Sequence, residues 1–232
     1  MTAKKIAVCA VMVALLLAVQ YIFSFIAGVE LVSVLLLSFC YVFGVYCGLL
    51  TATTFSLLRC FLYGFVPNVI VLYLIYYNLF ALIFGLLGKH KLPTWVCPML
   101  LCVLAVASAY FAATGIPISM LYQTRISIML WILFGIVCAL AVVYMSLVFA
   151  RKGKEGQILA CVTALAAFCT VCFTLLDDII TPLFMGYSMD AALAYFYTGF
   201  LAMLPQTICV IISVFLLFIP FKKAFESVKV RK

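Results

Sequence analysis

The chain has 232 residues, of which 70% are hydrophobic and 9% charged, and its mean hydropathy is +1.40. Soluble domains are roughly half apolar and a quarter charged, so this composition excludes a soluble globular protein. The net charge of +8 does not indicate nucleic-acid binding, because the basic residues stand in short clusters between apolar runs, as in the loops of membrane proteins. The composition predicts an all-α integral membrane protein.

Apolar runs divide the chain into its predicted helices, since one bilayer crossing takes about 20 helical residues. The runs lie near residues 5–25, 29–44, 48–64, 68–88, 93–113, 126–149, 157–176 and 193–220. The first run follows Lys4 and Lys5 as in a signal peptide, but it is too long for one, and we expect a retained helix. The sequence thus predicts a bundle of six to eight transmembrane helices in a single membrane domain, 1–232.

The stretch 29–64 is short for two full crossings, because it holds only 36 residues. Gly44 and Gly48 interrupt it with a G-x-x-x-G pattern, which permits close helix contact but often arises by chance in membrane chains. Two interpretations stay open: a pair of short helices, or a re-entrant hairpin that is buried in protein or lines a wet cavity. In both, the chain returns to the side that it left.

The basic residues predict the orientation through the positive-inside rule. With a cytoplasmic N-terminus, twelve of the fourteen basic residues fall on the cytoplasmic side: Lys4, Lys5, Lys89, Lys91, Arg151, Lys152, Lys154, Lys222, Lys223, Lys229, Arg231 and Lys232. The other side receives Arg59 and Arg125, together with four of the six acids: Glu30, Asp177, Asp178 and Asp190. We expect both termini in the cytoplasm and an even number of crossings.

Most of the remaining polar chemistry lies at the outer ends of the predicted helices. Ionisable groups at membrane depth are costly and usually face a cavity or one another. The candidate ligand-binding residues are Glu30, Arg59, Tyr63, Asn68, Arg125, Asp177, Asp178 and Tyr195. Nearby aromatics support a pocket, although tyrosines at helix ends also form the interfacial aromatic belt. They are Tyr63, Tyr73, Tyr76, Tyr77, Tyr195, Phe196 and Tyr197. A structural alternative is that Arg59 pairs with Glu30 or Asp177 and holds the bundle together.

The first helix carries a stripe of small residues. Ala10, Ala14 and Ala18 continue a series from Ala3 and Ala7 at spacings of three and four, so they share one helical face. Such a face lets another helix approach closely. The partner can be a helix of the same chain or of another protein.

Catalytic patterns are incomplete or missing. Asp177-Asp178-Ile179-Ile180-Thr181 resembles the D-D-x-x-D motif of membrane prenyltransferases, which hold pyrophosphate through magnesium, but its third acid is replaced by Thr181. His90 is the only histidine, and no P-loop occurs. The sequence predicts neither enzymatic activity nor a metal site or other cofactor.

Two segments carry a resemblance to a transporter family. The run AKKIAVCAVMVALLLAVQYIFSFIAGVEL leads into a glycine-broken helix pair and a Gly-x-x-Pro-Asn turn. Near the end, LLDDIITPLFMGYS precedes a helix with Pro205 and Gln206 and then a basic tail. Over about 3–90 and 165–222, the chain resembles the substrate-binding S components of energy-coupling factor (ECF) transporters.

This resemblance implies a receptor in the plasma membrane of a prokaryote that captures a vitamin or related micronutrient outside the cell. Such receptors have no ATPase activity and dock on a transmembrane T component that carries two cytoplasmic ABC ATPases. The family's alanine motif for this docking falls on Ala10 and Ala14, continued by Ala18. In the outer pocket, the two arginines would pair with an anionic group of the ligand, the three acids would accept hydrogen bonds or balance charge, and Tyr63, Asn68 and Tyr195 would add stacking or polar contacts.

The chain departs from the family in helix number. Family members usually have six helices, and the surplus here lies in 93–149, a hairpin with Arg125 at its outer turn. Other function classes stay open: a stand-alone secondary transporter, a non-catalytic scaffold protein and, last, a magnesium-dependent lipid enzyme. Against the secondary transporter, no second half repeats the first, and no acid stands at the centre of a long helix.

Overall fold

The computed structural model describes residues 3–26, 28–90, 96–114, 120–150 and 154–230. Within these ranges the chain forms eight α-helices and no strands. The helices are α1 Ala3–Phe23, α2 Val32–Phe43, α3 Val45–Tyr63, α4 Pro67–His90, α5 Val96–Thr114, α6 Met120–Ala150, α7 Lys154–Met185 and α8 Met189–Val230.

Six of the described helices are long and apolar enough to cross a membrane, namely α1, α3, α4, α6, α7 and α8. The other two, α2 and the apolar part of α5 at Pro98–Thr114, are shorter. The 12 residues of α2 extend about 18 Å, whereas the hydrocarbon core is about 30 Å thick. The predicted all-α membrane bundle of six to eight helices is confirmed.

Helix ends differ most from the predicted ones where polar residues continue a helix beyond its apolar run. α7 ends at Met185 rather than near 176, and α8 covers Met189–Val230 rather than 193–220. Apolar runs locate the part of a helix that crosses hydrocarbon, but backbone hydrogen bonding continues into polar residues. Asp177 and Asp178, which were expected to close the seventh segment, therefore lie inside α7.

Gly44 alone separates α2 from α3. Its φ of +83° lies in a region that side chains with a Cβ rarely adopt. Its N–H donates to the carbonyl of Cys40 at 2.9 Å, and its carbonyl accepts from Gly48 N–H at 3.0 Å. One residue thus ends one helix and begins the next, and 29–64 consists of two helices, the second of spanning length.

The first of two compact units contains the chain up to Leu92 and from Cys169 onward. Its shortest helix, α2, lies at the centre and contacts α1, α3, α4 and α8. Five phenylalanines are almost fully buried in its core: Phe39, Phe55, Phe80, Phe84 and Phe218. Because α2 is surrounded by longer helices, its two ends are the places where polar cavities can form inside the unit.

The second unit covers Pro93–Phe168 and includes α5, α6 and the first part of α7. Helices α5 and α6 pack against each other, and Ser127 Oγ donates to the Ala112 carbonyl at 2.8 Å. The hairpin expected at 93–149 falls entirely within this unit.

Candidate ligand-binding site

A cavity of about 270 Å³ lies at the N-terminal end of α2, in the first unit. We call it the ligand cavity. Three of the predicted site residues line it: Glu30, Arg59 and Tyr63. Five further polar residues on its wall are Gln20, Ser24, Tyr73, Tyr77 and Gln206. The end of α1, the start of α2, the end of α3 and parts of α4 and α8 therefore supply its wall.

Arg59 is held on this wall by two tyrosine rings. Its guanidinium carbon lies 4.0 Å from the ring centroid of Tyr73 and 4.7 Å from that of Tyr63. Cation–π contacts of this kind contribute about 0.5–2 kcal/mol each. The two rings therefore help to hold the guanidinium in place.

Arg59 forms no ion pair with a described acid. Among the described residues, no carboxylate oxygen lies within 4.0 Å of its nitrogens. The buried Nε of Arg59 has no hydrogen-bond partner. The structural alternative, in which Arg59 pairs with Glu30 or Asp177, is not what the structure shows.

Glu30 stands in the loop before α2 and is partly buried. Its Oε1 accepts a hydrogen bond from Ser33 Oγ at 3.0 Å, and its backbone N–H points to the sulfur of Cys209 at 3.3 Å. Burial raises the pKa of Glu30, and the hydrogen bonds from Ser33 and the positive charge of Arg59 oppose that rise. The cavity thus has a cation and a titratable acid on one wall without joining them in an ion pair.

Gln20 connects α1 to this arrangement and was not among the predicted site residues. Its Nε2 donates to the Tyr73 hydroxyl at 3.2 Å, so it positions one of the two rings that hold Arg59. Its Oε1 is buried and has no partner. A lone glutamine in the apolar run of α1 was the signal, because polar groups at membrane depth are costly.

The charge and the size of the ligand cavity limit what it can bind. Arg59 supplies a positive charge on the wall, which suits an anionic group. Its Nε and the Oε1 of Gln20 are buried from solvent without a hydrogen-bond partner. The volume of about 270 Å³ lies near the lower end of small-molecule sites, roughly 300–1,000 Å³, so the ligand must be small.

The remaining described candidates form a second group, in which the polar atoms bond to one another. Asn68 Nδ2 donates to Thr181 Oγ1 at 3.0 Å, and Thr181 donates to Asp177 Oδ1 at 2.6 Å. The Tyr195 hydroxyl donates to Asp177 Oδ2 at 2.9 Å. This Asp177 network joins α4, α7 and α8, and none of its members lines the ligand cavity.

Asp178 lies beside the Asp177 network, with only 6% of its surface exposed. A Cβ built on Gly199 of α8 would overlap its carboxylate, so only glycine allows this close approach. Its Oδ2 is buried without a partner. The structure also leaves Asn68 Oδ1 unpaired, which marks the network as incompletely satisfied.

Arg125 lies in α6, and its side chain is outside what the structure describes. Ala10, Ala14 and Ala18 are exposed on α1, so no described part of the chain covers them. In the described ranges, no three of His, Cys, Asp and Glu converge as they would at a metal site.

No protein-family model matches the chain, and no curated protein or solved structure matches it either.

Proposed function

We propose that the chain is the membrane-embedded substrate-binding subunit of an ECF transporter, which captures a vitamin or related micronutrient at the outer face of a plasma membrane. One observation supports this proposal: Arg59 stands on a cavity wall beside two aromatic rings, and no described acid lies within ion-pairing distance of it. A cation held in that way is prepared for an anionic ligand, because rigid donors lose little entropy when the ligand binds.

The ligand class follows from the same geometry. A carboxylate or phosphate would pair with Arg59, whose planar fork suits such groups, and a donor on the ligand would reach Gln20 or Glu30. Tyr77 offers a ring for an aromatic or heterocyclic part of the ligand. We therefore expect a small organic anion, with a ring where it meets the tyrosines.

The partner subunits are proposed from the alanine stripe. Its members are exposed on α1. Only 22% of the apolar span of this helix is buried inside the protein. A smooth helical face of this kind suits a helix of a T component. The chain has no P-loop, so energy would come from two ABC ATPases bound to that T component.

A tagged pull-down from native membranes in mild detergent tests the assembly. Co-purification of a T component and two ABC ATPases is the expected result. Recovery of the chain alone, under conditions that preserve a known ECF complex, would remove the proposed role.

Ala14→Trp tests the docking face separately. The bulky ring should abolish assembly with the T component and reduce uptake to background while leaving ligand binding intact. Leu15→Trp is the matched control, because Leu15 is an exposed residue of α1 about 100° around the helix from Ala14. Assembly of the Ala14 variant at wild-type levels would contradict the docking surface.

Asp178 favours a second candidate, a cation-coupled secondary transporter. It is a buried acid with an unpaired oxygen inside a helix of spanning length, and such acids often mark ion pathways. Uptake that persists without ATPases and stops when the ion gradient is collapsed would favour this candidate. Uptake that needs ATPases would exclude it.

A further inference from the structure

A second and larger cavity, of about 530 Å³, lies at the other end of α2, around the Gly44 turn. We call it the basic cavity. Tyr41, Gly44 and Tyr46 contribute to its wall, and its charged residues are Lys89 of α4 and Lys229 of α8. None of the described wall residues is acidic, so no described side chain of the wall balances the charge of the two lysines.

Lys229 is fixed in place by the backbone. Its Nζ donates a hydrogen bond to the Val42 carbonyl at the end of α2. An ammonium has three donors, so this bond holds the group at the wall while the others can serve a ligand. Lys89 adds a second positive charge at the same wall.

An apolar groove of about 360 Å³ lies beside α1 at this end of the unit. Lys4 stands at one end, and Val8, Val11, Met12 and Leu15 follow along the helix. From Lys4 to Leu15 the groove runs about 16 Å at 1.5 Å per residue. It therefore extends from the charged end of α1 into the part of the helix that crosses hydrocarbon.

The basic cavity and the apolar groove adjoin. Phe43 lines both of them, and the consecutive residues Val228 and Lys229 of α8 line one each. A single molecule with a charged head and an apolar tail can therefore occupy both. A free anion would use only the cavity, and an apolar helix would use only the groove.

The apolar wall of the groove suits an acyl chain, and the two lysines of the adjoining cavity suit an anionic headgroup.

We propose that these two spaces form a binding site for one anionic phospholipid, whose phosphate pairs with Lys89 and Lys229 and whose acyl chain lies in the groove along α1. Basic pockets at one end of membrane helices are suited to anionic headgroups in this way. The site is independent of the ligand cavity, which lies at the opposite end of α2.

Native mass spectrometry of the full chain, titrated with phosphatidylglycerol or with phosphatidylcholine of the same chain lengths, tests the site. We expect one phosphatidylglycerol per chain at concentrations at least tenfold below those needed for phosphatidylcholine. The double variant Lys89→Gln, Lys229→Gln should remove this preference. Lys5→Gln, Lys223→Gln is the matched control, because both lysines are exposed near the same end, carry the same charge and do not line the cavity; it should keep the preference.

The groove is tested with Val11→Trp, which should weaken retention of both lipids at least fivefold by filling the space of the acyl chain. Ile22→Trp should leave retention unchanged, since Ile22 does not line the groove. All of these side chains are exposed, and unchanged melting temperatures would show that the variants fold.

Four outcomes would overturn the proposal. The first is equal retention of the two lipids, and the second is an equal loss of the phosphatidylglycerol preference in the control variant Lys5→Gln, Lys223→Gln. The third is complete displacement of the lipid by inorganic phosphate. The fourth is the mass of a second chain or of a partner subunit in place of the lipid. Displacement by phosphate would identify a site for free anions, and a protein mass would identify a protein interface.

Discussion

The ligand cavity and the Asp177 network use similar residues in opposite ways. In the cavity, Arg59 and Gln20 line an open space, and Arg59 forms no ion pair with a described acid. In the network, side-chain hydrogen bonds link Asn68, Thr181, Asp177 and Tyr195 and tie three helices together, with Asn68 Oδ1 left unpaired. The difference indicates that polar groups at membrane depth can serve either a ligand or the bundle, and that their hydrogen-bond partners decide between the two.

Among the substitutions that test this difference, one at Arg59 should have the largest effect on ligand binding. Arg59→Ala should weaken binding of the small molecule by on the order of 100-fold, because hydrogen bonds to a charged group contribute about 1.5–3 kcal/mol. The melting temperature should change little, since no ion pair is lost. Calorimetric titration with the compound identified from the purified protein measures the affinity.

Arg59→Lys is the control for charge alone. It keeps the positive charge but loses the planar fork and its stacking on two rings, so its affinity should lie between those of the wild type and the alanine variant. Wild-type affinity in the Arg59→Ala protein would contradict the role of this residue.

Asp177 should behave in the opposite way. Asp177→Ala leaves the hydroxyls of Thr181 and Tyr195 without their acceptor, at a cost of about 2 kcal/mol. For a chain of this length, that corresponds to a fall in melting temperature of about 4–8 °C, with ligand affinity unchanged. Scanning fluorimetry in detergent measures the shift.

Asp177→Asn keeps one acceptor oxygen and should lose about half as much stability. If Asp177→Ala lowered ligand affinity as much as Arg59→Ala does, the division between a binding region and a structural region would be wrong.

Gln20 tests whether the cavity is preorganised. Gln20→Leu removes the hydrogen bond to the Tyr73 hydroxyl and loosens one ring that holds Arg59, so affinity should fall about tenfold, or about 1.4 kcal/mol. Tyr73→Phe removes the same bond from the other side. The double variant should therefore be no weaker than the worse single variant, and additive losses in this cycle would show that the two residues act separately.

The smallest effect is expected at Tyr63. Its ring is 37% exposed, and an exposed cation–π contact contributes about 0.5–1 kcal/mol. Tyr63→Ala should weaken binding about two- to fivefold, whereas Tyr63→Phe, which keeps the ring, should stay within twofold. A large loss in Tyr63→Phe would mean that the hydroxyl contacts the ligand.

Much of the fold could be predicted from the sequence, because the thickness of a bilayer sets the length of an apolar run. All eight predicted helices correspond to helices of the structure. The predicted break at Gly44–Gly48 was nearly right, since Gly44 alone makes the turn. The predicted end of α7, near 176, was too early. Asp177 and Asp178 interrupt the apolar run but not the hydrogen bonding of the helix.

The candidate site was predictable only in part. Successive helices alternate in direction, so the sequence places Glu30, Arg59 and Tyr63 at the same side of the bundle. There they line a common cavity. The sequence does not show which helices are neighbours, so it could not separate these residues from Asp177 and Tyr195. Gln20 and Gln206 lie within long apolar runs, and only their polarity distinguished them.

The central claim is that the Arg59 cavity binds a small anion, whereas the Asp177 network holds the bundle together. Its most direct test is mass spectrometry of the small molecules released when the purified protein is denatured, comparing the wild type, Arg59→Ala and Asp177→Asn. We predict one anionic compound, near one per chain, in the wild type and in Asp177→Asn, and none in Arg59→Ala. The same compound at the same amount in all three proteins, or its loss from Asp177→Asn alone, would contradict the claim.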